Sequence, residues 1–113
     1  MIDINTITLI AKSLSNNCQG KENAINRNVL IEKLAGAKNP IHLDHITLSE
    51  VIQTIRKEKL CEGALIENKG TYYISKDENE IMQYIQYLQL RADELLQMKD
   101  AIVEMTKQKS NAE

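Results

Sequence analysis

Tryptophan and phenylalanine are missing from this 113-residue chain, and its four aromatic residues are all tyrosine. Cysteine occurs twice, as Cys18 and Cys61, without a CxxC spacing. That excludes a disulfide framework and a zinc-ribbon pattern, and it predicts free thiols in a reducing compartment, hence a cytoplasmic location. No run approaches the roughly 18 apolar residues of a membrane span. The best N-terminal stretch, Ile2 to Leu14, is interrupted by Asp3, Asn5, Thr6, Thr8, Lys12 and Ser13, so no membrane partner is expected. At this length the chain forms one small core that buries roughly two thirds of the unfolded surface. A two-domain enzyme with a cleft is excluded.

Charge is nearly balanced, at 14 basic against 16 acidic residues, but it is unevenly distributed. Residues 1–76 hold ten Lys/Arg and eight Asp/Glu, a net of +2, and residues 77–113 hold four and eight, a net of −4. A weakly basic head precedes an acidic tail.

Helical periodicity appears first at Ile4, Ile7, Leu9, Ile10, Ala11 and Leu14, which predicts a helix from Ile4 to Ser15 capped by Asp3 or Asn5. A second helix is expected over Arg27 to Ala35, capped by Asn26 or Asn28 and ended by Gly36 in a left-handed conformation. Ala37 to Ile46 contains the single proline, Pro40, and reads as a loop. Thr47-Leu48-Ser49-Glu50 has the form of a capping box and predicts the start of a third helix. Its inward stripe is Leu48, Val51, Ile52 and Ile55, continued by Lys59 or Leu60, which leaves Ser49, Glu50, Gln53, Thr54, Arg56 and Lys57 toward the outside.

Ala64 to Ile66 and Thr71 to Ile74 flank Glu67-Asn68-Lys69-Gly70, and together they predict a β-hairpin with a four-residue turn. Ser75-Lys76-Asp77-Glu78 repeats the capping-box form, and no Gly or Pro interrupts the chain from there to Lys107. The long helix expected behind it places Ile81, Ile85, Leu88, Ala92, Leu95 and Ile102 at alternating steps of four and three, with Lys99 standing where a further apolar residue was due. That is a heptad seam. It predicts dimerisation through the tail, with the helices parallel or antiparallel. A helix folded back over the head is the alternative. The end, Ser110 to Glu113, is expected to be disordered.

His42, Asp44 and His45 are too few, and too poorly fixed in a Pro-containing loop, to form a metal site. Cys61 beside Glu62 lacks the electropositive surroundings of a reactive thiol. There is no Gly-rich phosphate loop, GxSxG turn or well-placed acid pair, so no cofactor and no enzymatic activity are expected.

The capped third helix is the feature that points to a function. Outward Ser49, Gln53, Thr54, Arg56 and Lys57 suit base edges and phosphates in a major groove, residues near the helix start reaching deepest. Thr47 and Ser49, with free N–H groups at the helix start, suit a phosphate. Lys69 at the hairpin tip suits an adjacent phosphate or the minor groove.

The stretch from Ile46 to Leu96 resembles the recognition helix, wing and trailing helix of small winged-helix proteins encoded in phages and prophages. The parts that carry the likeness are the capped helix Thr47 to Lys59, the strand Ala64 to Ile66, the turn Asn68 to Gly70, the strand Tyr72 to Ile74 and the helix from Asp77 onward. The general plan also looks like the bacterial replication terminator and the PadR-type regulators. The resemblance implies an α+β fold, with a winged helix-turn-helix head of three helices and a two-stranded wing followed by a long C-terminal helix. It implies a homodimeric, double-stranded-DNA-binding regulator of transcription or a replication accessory. Winged helices also bind proteins, so an adaptor or an inhibitor of a host enzyme or defence complex is the second expectation.

Overall fold

The computed structural model describes residues 2–111, with side chains through residue 108. The chain is α+β and divides between Asp77 and Glu78 into two compact units. The first unit runs α1 (Ile4–Asn17), a 3₁₀ turn (Lys21–Asn23), β1 (Ile25–Asn26), α2 (Arg27–Ala35), α3 (His45–Lys57), β2 (Ala64–Asn68) and β3 (Thr71–Ser75). The second is the single helix α4 (Glu78–Asn111). Among the described residues, no helix is long and apolar enough to cross a membrane.

α1 starts where Asp3 accepts the Thr6 N–H at 2.8 Å, and it runs two residues beyond the expected end. α2 has the expected bounds, with Asn26 accepting the Asn28 N–H. Its end differs from expectation, because Gly36 keeps a negative φ of −92° and simply donates its N–H to Glu32 O. α3 begins two residues before Thr47. Asp44 accepts the Thr47 N–H at 2.7 Å, and a carboxylate at this position caps at least as well as a threonine while also meeting the positive end of the helix dipole.

The sheet has three antiparallel strands in the order β1-β3-β2. The expected two-stranded wing omits β1, whose Ile25 and Asn26 pair with Tyr72 and Thr71. β2 and β3 pair in register from Ala64 with Ser75 to Asn68 with Thr71, so the hairpin loop is two residues, not four. Lys69 and Gly70 both take positive φ, 52° and 80°, the geometry of a primed turn that matches strand twist. On its other side β3 meets Cys18–Gly20, with Ile74 N–H donating to Cys18 O and Gly20 N–H to Ile74 O, both at 2.8 Å.

One aliphatic core fills the first unit. α1 contributes Ile7, Ile10, Ala11 and Leu14, α3 contributes Leu48, Val51, Ile52 and Ile55, and the sheet contributes Leu65, Tyr72 and Ile74. Leu30 of α2 and Leu43 of the Pro40 loop close it. The start of α4 also departs from the sequence expectation. Ser75 is buried and its hydroxyl accepts the Asp77 N–H, and the helix begins at Glu78, one residue past the expected Asp77. At its far end α4 continues through Ser110 and Asn111, part of the segment expected to be disordered, while Ala112 and Glu113 lie outside the described residues.

Candidate nucleic-acid interface

α3 is amphipathic, and its buried stripe fixes what the rest of its surface can offer. Ser49, Gln53 and Lys57 are exposed and lie four residues apart, forming one row about 12 Å long at 1.5 Å per residue. A row of that length fits the width of a DNA major groove.

The other expected contacts on α3 point elsewhere. Thr47 and Thr54 are only half-exposed and, with Glu50 and Val51, line one wall of a groove whose opposite wall is Ile2, Ile4 and Ile7. The Thr54 hydroxyl is further committed to Glu50 O at 3.0 Å. Arg56, expected on the outer surface, is half-buried. Its Nε and Nη2 donate to Leu65 O at 3.1 and 2.9 Å, which fixes the C-terminal end of α3 to β2. The helix start is likewise occupied: the Thr47 N–H that was to hold a phosphate goes to Asp44, whose carboxyl lies below the ordinary 3.8 chiefly because of that hydrogen bond.

Basic charge therefore gathers at the C-terminal end of the row, not at its start. Lys57 is followed by Lys59, which is exposed and holds φ at 55°. Lys59 occupies the left-handed position that ends α3, where Leu60 N–H reaches back to Ile55 O at 3.0 Å. Lys69 at the hairpin tip is exposed and has the same left-handed backbone. Both positions suit Gly or Asn, and a lysine there carries strain of roughly 1–2 kcal/mol. Of the two residues that could continue the inward stripe, Leu60 packs on the core and Lys59 faces out, which makes Lys59 a candidate contact. Its signal in the sequence was a lysine two residues past the last turn of a helix, with no glycine or asparagine there to end it.

The remaining features of the head are structural. Gln19 Nε2 donates to Glu62 O at 3.4 Å, Ser15 Oγ accepts the Glu62 N–H, and Cys61 Sγ lies 3.6 Å from Ala11 O, which together bind the end of α1 to the loop after α3. Burial pushes both thiols up from their ordinary value, Cys18 and Cys61 alike. Neither has the character of a nucleophile.

On α4 the seam residues stand open. Ile85, Leu88, Ala92, Leu95 and Ile102 are exposed and Ile81 is half-buried. No protein-family model matches the chain, and no curated protein or solved structure matches it.

Proposed function

We propose that the chain is a sequence-specific double-stranded-DNA-binding protein of the winged-helix kind, a phage-type transcriptional regulator or replication accessory that acts in the cytoplasm as a homodimer through α4. The observation that carries this reading is the open row Ser49, Gln53 and Lys57 on α3, with Lys59 just past the helix end and Lys69 at the hairpin tip, both exposed and held at positive φ. Charge is kept at two turns where glycine or asparagine would be less strained, which favours a functional use for it. The order of a three-helix core, the row-bearing α3 and then a hairpin supports the winged-helix assignment. In this reading Gln53 and Ser49 address base edges while Lys57, Lys59 and Lys69 neutralise phosphates. Arg56 positions α3 and does not read DNA.

The test is selection from a random duplex library by the full chain at near-physiological salt, where nonspecific binding is suppressed. Enrichment of a motif with two half-sites is the expected result. A folded protein that enriches nothing overturns the proposal.

A second reading, a protein-binding adaptor or inhibitor, is favoured by one feature. The groove between α1 and α3 has a volume of about 480 Å³ and an apolar floor of Ile2, Ile4, Ile7 and Val51, with the Glu50 carboxylate at its rim. A host protein captured at one-to-one stoichiometry after nuclease treatment, and lost with Ile4→Asp, would establish it.

A further inference from the structure

We propose that α4 pairs with α4 of a second copy in antiparallel orientation, Ala92 of each helix lying beside Leu95 of the other. This rests on the homodimer reading and adds direction and register to it. Nine large apolar side chains at seam and flanking positions between Met82 and Met105 are each about half exposed. At on the order of 90 Å² apiece they offer roughly 800 Å², the area a standard interface takes from each partner.

The direction follows from what occupies the two seam positions. One set, Ile81, Leu88, Leu95 and Ile102, is uniformly large. The other, Ile85, Ala92, Lys99 and Thr106, mixes one large residue with a small, a charged and a polar one. In a parallel, in-register pair like faces like, so two Lys99 side chains share one apolar layer and two Ala92 side chains leave another underfilled. Reversing one helix sets each residue of the irregular set against a large one. Ala92 then meets Leu95, Lys99 meets Leu88, Thr106 meets Ile81, and Ile85 meets Ile102. Every layer holds a bulky aliphatic, and each lysine lays its stem along a leucine with its ammonium at the edge.

Charge and dipole agree with this direction. The first turn of α4 carries Glu78 and Glu80, and Lys107 lies near its other end. Reversal sets Glu78 of one helix about 3 Å along the axis from Lys107 of the other, on the same flank of the pair, and opposes the two helix macrodipoles. The two Glu78 residues then stand about 46 Å apart along the pair, at 1.5 Å per residue.

The experiment uses the unaltered chain, prepared at natural isotope abundance and in fully ¹⁵N-labelled form, mixed and coupled with a zero-length carbodiimide. Cross-linked peptides are then read by mass spectrometry, and sedimentation equilibrium gives the mass. Mixed-isotope links from Lys107 to Glu78, in a species of two-chain mass, are the expected result. Within one helix these groups are about 40 Å apart, so such links arise only between chains. A two-chain species with mixed links from Lys107 to Glu104, or with no mixed link between the opposite ends of α4, overturns the antiparallel register and leaves the dimer standing. A mass of one chain, or of more than two, overturns the dimer itself.

Discussion

The Arg56 guanidinium lies against the open edge of β2 and donates twice to Leu65 O. β2 is an edge strand, and Ile74, the residue opposite Leu65, sends its N–H away from it to Cys18 O. The Leu65 carbonyl therefore faces outward, and Arg56 satisfies it from Nε and Nη2 together, while sealing an edge that would otherwise invite another strand. Arg56→Ala is expected to cost about 1.5–3 kcal/mol of folding stability, the range for hydrogen bonds from a charged group. Lys57→Ala, one residue along, is expected to leave stability within about 0.5 kcal/mol of the parent. Urea unfolding of the two variants reads the difference.

DNA affinity separates the same neighbours differently. Lys57→Ala is expected to weaken binding to any duplex and to reduce the salt dependence of the binding constant by about one phosphate contact. Gln53→Ala is expected to relax sequence preference at one position, with a penalty of about 1–3 kcal/mol on the preferred site. Fluorescence anisotropy at several salt concentrations measures both. An unchanged affinity in both variants would remove the exposed row of α3 from the interface.

Lys59 and Lys69 allow function and stability to be moved in opposite directions. Lys59→Gly and Lys69→Asn place residues that accept positive φ at turns now held by lysine. Each is expected to raise the melting temperature while lowering DNA affinity. A rise in stability with affinity unchanged would show that these lysines touch no nucleic acid.

Asp44 makes the start of α3 sensitive to acid. Its folded pKa lies below the ordinary 3.8 because the carboxylate accepts the Thr47 N–H. The unfolded chain therefore binds the proton more readily, and the stabilisation is fully present above the unfolded value and lost as the pH falls through the folded one. Asp44→Ala is expected to lower the melting temperature by a few degrees at neutral pH. The gap between parent and variant should begin to narrow as the pH falls through the ordinary 3.8 and close once the folded carboxyl is itself protonated.

Replacing Leu88 and Leu95 together by Lys puts charge into the apolar seam of α4. The sedimentation mass is expected to fall to one chain, with the thermal transition of the head retained. A two-chain mass that survives the double substitution would mean that the seam is not the contact.

Much of this architecture is legible in the sequence because the information is local. Leu48, Val51, Ile52 and Ile55 repeat at helical spacing and are buried together, and the bounds of α2 follow from Asn26 and Gly36. What escaped was non-local. β1 is two residues long, too short for any periodicity, and exists because Ile25 and Asn26 find Tyr72 and Thr71 far along the chain. The capping-box pattern at Thr47 was real as a pattern, but Asp44 stands three residues earlier and takes the same N–H. The candidate site divides in the same way. Ser49, Gln53 and Lys57 are exposed as their spacing suggests, whereas Arg56 looks like a surface residue until β2 is folded beside it, and Thr47 and Thr54 turn toward α1.

The central strand of the sheet is also the last element of the head to be synthesised. β1 waits about 45 residues for its partner, and β2 is unpaired until Thr71–Ser75 follows it. Neither outer strand can be paired until Thr71–Ser75 is in place, so the sheet closes in one cooperative step that joins a contact spanning about 45 residues with a two-residue hairpin. Loss of the β2–β3 hairpin therefore also releases β1, and the head opens as a single unit.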